Sequence, residues 1–129
     1  MAKILIAEDE PDIRNLVRLS LRYTGHQVVA AEDGLAAVDL ALKEKPDLVI
    51  LDVQMPKLNG YDACKRIKAE ASLKHVPVIF LTVHGSEREK RQGLDAGAVE
   101  YLVKPFSPEE LVRIVAKALK PGKPKPKKG

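Results

Sequence analysis

Five short runs rich in Ile, Val and Leu alternate with five longer amphipathic segments, and this alternation constrains the fold more than any other feature of the chain. The runs are Lys3–Ala7, Gln27–Ala31, Leu48–Leu51, Val78–Leu81 and Glu100–Val103. Strand and helix in strict alternation predict parallel strands joined by helical crossovers. The first, third and fourth runs are apolar almost throughout, as strands are when helices cover both faces of their sheet. Right-handed crossovers then give an α/β, doubly wound sheet, whose ligands bind beyond the carboxyl ends of the strands, where the strand order reverses.

The segments between the runs carry helical periodicity. Ile13, Leu16, Val17, Ser20 and Leu21 place a helix from Pro11 to about Thr24, closed by Gly25. A second follows Asp33-Gly34, presents Leu35, Val38 and Leu42 on one side, and stops before Pro46. A third begins near Gly60 and continues through Ile67 towards Ala69. The fifth opens on Ser107-Pro108-Glu109-Glu110, a cap residue, a proline at the first helical position and a glutamate at the third. The fourth, Ser86 to Ala96, has Leu94 and little else that is large and apolar. Such a helix is weakly anchored, which suits an element that moves or binds a partner.

At 129 residues, 45% hydrophobic and 31% charged, the chain has the size and composition of one globular domain. Its net charge of +4 suggests a nucleic-acid binder until the charge is located. Lys120, Lys123, Lys125, Lys127 and Lys128 crowd the last ten residues; setting them aside leaves 17 basic against 18 acidic residues. Residues 1–119 therefore read as a near-neutral domain and 120–129 as a Lys/Pro-rich flexible tail. No run approaches the roughly 18 apolar residues of a membrane span, and Ile4–Ala7 is too short for a signal peptide, so a cytoplasmic location without membrane contact is expected. Cys64 stands alone, which excludes an intrachain disulfide and reads as a small helix residue.

The ends of the predicted strands carry the chemistry: Glu8-Asp9 after the first, Asp52 after the third, Thr82 after the fourth, Lys104-Pro105 after the fifth. Each has a plain structural reading: Asp9 as a helix cap, Asp52 as a turn residue before Pro56, Thr82 bonded to backbone, Lys104 as a surface charge. Together they do not. Three carboxylates converging from neighbouring strands repel by about 4 kcal/mol per pair near ~4 Å at an effective dielectric of about 20. Lys104 offsets part of that, and a hard, oxygen-ligated divalent cation, Mg²⁺, offsets the rest. A carboxylate, a lysine, a hydroxyl and such a metal are the parts of an in-line phosphoryl transfer, in which positioning and charge neutralisation do most of the catalysis. Asp52 is then the nucleophile, Glu8 and Asp9 hold the metal, and Thr82 and Lys104 engage phosphoryl oxygens.

From about residue 2 to 119 the chain resembles a receiver domain of two-component response regulators, the chemotaxis regulators among them. The matching segments are Ile4-Leu5-Ile6-Ala7-Glu8-Asp9-Glu10, Leu48 through Pro56 with Gly60, Pro77 through Thr82, and Ala96-Gly97-Ala98 leading to Tyr101-Leu102-Val103-Lys104-Pro105-Phe106. The resemblance implies the flavodoxin-like strand order 2-1-3-4-5 with five flanking helices. It further implies that Asp52 is the phosphoacceptor for a phosphohistidine on a sensor histidine kinase or a histidine phosphotransfer protein, with Mg²⁺ bound by Glu8, Asp9, Asp52 and the backbone carbonyl of Gln54. Thr82 and Tyr101 become switch residues, the fourth helix, fifth strand and fifth helix become the readout surface for a downstream protein partner, and Lys104-Pro105 becomes a junction that is often cis. In this reading the protein is a signalling switch and not a turnover enzyme, stands without a DNA-binding domain, and is a monomer or a phosphorylation-dependent dimer.

Two positions depart from the family pattern. Val83 stands where Ala or Gly is usual and predicts restricted access to the phosphoryl pocket, while Gln54 faces the same pocket from the other side, where its amide could either help or hinder the attacking water and so leaves the lifetime of the phosphorylated state open. A receiver-like binding module that does not use phosphate is the alternative reading, resting on Val83. A flavin or nucleotide binder on the same fold lacks any Gly-rich phosphate loop after a strand. His26, His75 and His84 fall on separate connections without metal-pair spacing, and Asp12 and Asp33 read as first-turn and cap charges.

Overall fold

A computed structural model describes residues 2–83 and 85–120. The tail from 121 onward and His84 lie outside the described residues. The five runs form strands β1 (Lys3–Ala7), β2 (Gln27–Ala31), β3 (Leu48–Asp52), β4 (Val78–Thr82) and β5 (Glu100–Val103). Between and after them run helices α1 (Pro11–Tyr23), α2 (Gly34–Glu44), α3 (Gly60–Lys68), α4 (Glu87–Ala96) and α5 (Pro108–Leu119). All pairings are parallel, in the order β2-β1-β3-β4-β5. This is the (β/α)5 flavodoxin-like architecture that the resemblance implied.

Because successive side chains of a strand point to opposite faces, the apolar central strands feed two cores. Ile4, Ile6, Leu48, Ile50, Ile79 and Leu81 pack against α1 and α5 through Val17, Leu21, Leu111, Ile114 and Val115. Leu5, Ala7, Val49, Leu51, Val78 and Phe80 face the other way, against α2, α3 and α4. β3 and β4 are buried along their whole length, and the edge strands β2 and β5 only in part.

Local chemistry sets the helix boundaries. Asp33, Asn59, Ser86 and Ser107 each accept the backbone N–H three residues on, satisfying a donor that the first turn leaves unpaired. At Ser107 the capping box is complete, because the Glu110 carboxylate also accepts the Ser107 N–H, both bonds being 3.0 Å. α1 starts with Pro11 behind Glu10, whose side chain makes no cap bond, so Asp9 is not the cap of this helix. A 3-10 turn at Ala71–Leu73, absent from the sequence reading, leads towards β4 and buries Leu73.

One position, Leu35, differs from expectation, while α4 is as lightly anchored as expected. In α2 the buried residues are Gly34, Ala37 and Ala41, whereas Leu35 is 42% exposed. Small side chains let the helix lie close against the sheet and α3; Val38 and Leu42 pack on that core as expected, and Leu35 alone of the three turns to the flank. In α4 the buried residues are Gly93 and Ala96, and Leu94 points outward, 60% exposed. The helix is anchored by close backbone approach and not by a large apolar side chain. Cys64 is buried as a small helix residue; its thiol donates to the Ala96 carbonyl at 3.1 Å, and burial pushes it up to about 11. Among the described residues no helix is long and apolar enough to cross a membrane.

Candidate functional site

The reversal of strand order falls between β1 and β3, whose carboxyl ends carry Glu8-Asp9 and Asp52. Glu8, Asp52, Thr82 and Lys104 converge there from four different strands, with Asp9 beside them, lining a cleft of about 380 Å³. Gln54 and Val83 lie on its wall as well, and Val83 is 56% exposed. A glycine follows from this crowding: a Cβ at Gly60 would overlap the Asp52 carbonyl oxygen and come within 3.0 Å of Val53 Cα. Only a residue without a side chain lets α3 begin so close to the end of β3, and the Gly60 N–H seals the turn on the Val53 carbonyl at 2.8 Å.

Glu8 and Asp52 are almost fully buried, 1% and 5% exposed, while Asp9 is exposed at the mouth. Lys104 Nζ lies 3.0 Å from Glu8 Oε1 and 3.4 Å from Asp52 Oδ1, so one ammonium serves two buried carboxylates. The Lys104-Pro105 bond is cis, and the Lys104 N–H is held by the Thr82 carbonyl at 2.7 Å. Glu8 is fixed from both ends: its Oε2 accepts the Glu10 N–H at 3.2 Å and its carbonyl accepts Arg14 Nη1 at 2.8 Å.

The electrostatics are unbalanced. Burial first, and then the charge of Asp52, push Glu8 up to about 7. Burial raises Asp52 as well, against the pull of Lys104. For Lys104 burial alone acts downward, but the two carboxylates outweigh it and raise the ammonium above its usual range. A single lysine thus leaves excess negative charge among buried oxygens.

A divalent cation fits this set on geometry as well as charge. Ligand atoms of Glu8, Asp9 and Asp52 all lie within 4.8 Å of one another. Buried Glu8 Oε1 has Lys104 Nζ at 3.0 Å and is otherwise without a hydrogen-bond partner among the described residues, which leaves it able to ligate a cation. Carboxylate oxygens with room for retained water are the donor set of Mg²⁺.

The structure brings together every strand-end residue singled out from the sequence, and it adds two. Glu89, in the first turn of α4, lines the cleft, and its Oε1 accepts the Thr82 hydroxyl at 3.0 Å. Tyr61, next to Gly60, packs edge-on against Phe80 with ring centroids 5.0 Å apart and meets the Tyr101 hydroxyl at 3.2 Å. Tyr101 lies inward, its ring 5.8 Å from that of Phe80 and its hydroxyl donating to the Glu89 carbonyl. The spacing Ser86-x-x-Glu89 signals a capping box, in which the carboxylate would bond back to the cap N–H, so it did not point to the contact with Thr82. Tyr61 had no comparable signal. Of the histidines, His26 Nδ1 accepts the Ala2 N–H at 3.1 Å and His75 is exposed, both away from the cleft.

The family model for the response regulator receiver domain matches residues 4–116. A probable transcriptional regulator of Galdieria sulphuraria, ycf27, is 47% identical over 109 residues, which are 84% of this chain and 42% of that protein. The chain spans about half the length, or less, of the curated relatives it matches. Among solved structures, the Vibrio cholerae chemotaxis protein CheY4 superimposes with a TM-score of 0.89 at 36% identity, over 92% of this chain and 99% of that one. The receiver domain of a sensor histidine kinase from Pseudomonas aeruginosa gives a TM-score of 0.85 at 34% identity, over 92% and 97%. That structure holds a magnesium ion coordinated in its active-site cleft.

Proposed function

Because the chain belongs to the response regulator receiver domain family, we propose that it is a phosphorylation switch in which Asp52 accepts a phosphoryl group from a phosphohistidine. The observation that carries this is a buried carboxylate at a strand end, sharing one lysine with a second buried acid and lying within metal-ligand reach of two acids. Glu8, Asp9, Asp52 and the Gln54 carbonyl are the proposed ligands of Mg²⁺, which when bound neutralises charge on the phosphoryl oxygens.

Asp52 is the nucleophile in this reading and needs no general base, because the ionised carboxylate already carries the lone pair. One of its oxygens attacks phosphorus as the bond from phosphorus to the donor's imidazole nitrogen breaks in line, and the electron pair returns to that nitrogen. Lys104 holds Asp52 ionised and pairs with an equatorial oxygen, and the Thr82 hydroxyl donates to another. Packing of α3 against β3 excludes water from one side of Asp52. A histidine kinase or histidine phosphotransfer protein is the proposed donor, in the cytoplasm, where the ATP that charges such donors is found. The proposed output is a surface of α4, β5 and α5 that changes when Thr82 and Tyr101 move, read by a downstream protein. Leu94, Val99 and Val103 are exposed there.

Intact mass after incubation with acetyl phosphate tests the reading. Wild type with Mg²⁺ is expected to gain about 80 Da, one phosphoryl group, and to gain nothing without the metal or as Asp52→Asn. An adduct that persists in Asp52→Asn would place the chemistry elsewhere. No adduct and no beryllofluoride binding would leave a phosphate-independent binding module, and Val83→Ala would then be the first reversion to make.

A further inference from the structure

Glu89 touches both proposed switch residues. Its carboxylate accepts the Thr82 hydroxyl at 3.0 Å, and its main-chain carbonyl, one helical turn before Gly93, accepts the hydroxyl of Tyr101. The Tyr61 hydroxyl reaches the same carbonyl at 3.4 Å and the Tyr101 oxygen at 3.2 Å. This seat exists because residue 93 has no side chain: a Cβ there would meet the Tyr101 ring, coming within 2.7 Å of Cζ. Glu89 also departs from its usual local role. In α5 the glutamate three residues after the serine cap bonds back to the cap N–H, but in α4 Ser86 Oγ accepts the Glu89 N–H at 3.2 Å while the carboxylate turns to Thr82.

Resting on the phosphorylation reading above, we propose that Glu89 is a positioning residue whose carboxylate latches the Thr82 hydroxyl in the unphosphorylated state, on the same residue whose main-chain carbonyl seats Tyr101. The hydroxyl that a phosphoryl group on Asp52 needs is engaged by Glu89, whose negative charge also lines the cleft that the anionic donor enters. Phosphorylation must transfer the Thr82 donor from carboxylate to phosphoryl oxygen. That exchange frees the first turn of α4 on its Thr82 side. The identity of residue 89 thereby sets how readily Asp52 is charged and connects the cleft to the α4 surface through a single residue.

The test is a cycle of wild type, Glu89→Gln, Thr82→Ala and the double variant, each charged by acetyl phosphate at saturating Mg²⁺ and followed by intact mass against time. Gln keeps the size and the helix position and removes the strong acceptor. Glu89→Gln is expected to speed charging on the order of tenfold in the wild-type background and by less than about twofold beside Thr82→Ala, because the lost bond is one to a charged group. A second reading does not depend on phosphate: Mg²⁺ affinity by thermal shift is expected to stay within about twofold of wild type, as a hydrogen-bond latch requires and a general field effect does not. Equal acceleration in both backgrounds, or Mg²⁺ binding weakened in step with charging, would overturn the latch in favour of simple charge repulsion. Unchanged charging would overturn it outright. Wild type that fails to charge with Mg²⁺ would instead sink the phosphorylation reading, which this cycle separates from the role of Glu89.

Discussion

Glu8 behaves unlike an ordinary surface carboxylate, and its titration has a defined sign. The group moves from 4.5 to about 7 on folding, chiefly through burial and then through the charge of Asp52. Between those values the folded protein holds a proton that the unfolded chain has released, so metal-free stability falls as pH rises through that window. Asp52 is raised as well and acts in the same sense. Asp33 acts oppositely and lower down: the Ala36 N–H holds its carboxylate below 3.8, so its contribution is present above that value and lost as pH falls through the lowered one. Urea unfolding of metal-free protein from pH 4.5 to 8 is expected to show a downward slope that flattens in Glu8→Gln. A slope that rises, or one that the substitution leaves alone, would contradict this account of the site.

At the level of elements, the helices are held by different means. α5 has a complete capping box and buries Leu111, Ile114 and Val115, whereas α4 buries only Gly93 and Ala96. Local opening costs least where little apolar surface is lost, so amide exchange is expected to be fastest in α4 and slowest in the central strands β1, β3 and β4, with α1 and α5 between. Exchange in α4 as slow as in α5 would mean that the Glu89 contacts stabilise far more than four hydrogen bonds should. The same contrast explains what could be read in advance. Strand order of appearance, helix starts and the five strand-end site residues follow from apolar runs, cap chemistry and position at strand ends, all local signals. The exposure of Leu35 in α2 did not follow, because helical periodicity weights it by size, while the sheet selected Ala37 and Ala41 for close approach. Glu89 and Tyr61 belong to contacts between α4, α3 and β5 that depend on helix rotation, which no single segment encodes.

For the molecule as a whole, the unbalanced charge at the strand ends is a reservoir of destabilisation that a cation removes. A ligand that binds only the folded state stabilises it by about 2.7 kcal/mol at a hundredfold excess over its dissociation constant. For a chain of this size that is a rise in Tm on the order of 10 °C. Differential scanning calorimetry is expected to show this with Mg²⁺, to show more of it at pH 8 than at pH 5.5, where Glu8 holds its proton, and to show little of it in Asp52→Asn. An equal shift in that variant would place the stabilising site elsewhere.

The strand-end placement has one more consequence. The groups of the cleft are drawn from residues 8, 9, 52, 82 and 104, so they meet only after β1, β3, β4 and β5 have been laid into the sheet. A chain still being synthesised, or one severed before Lys104, has acids but no assembled acceptor. Under the proposed function, a phosphoryl mark would then double as a certificate that these four strands are in place, and a half-made copy would stay silent without any separate inspector.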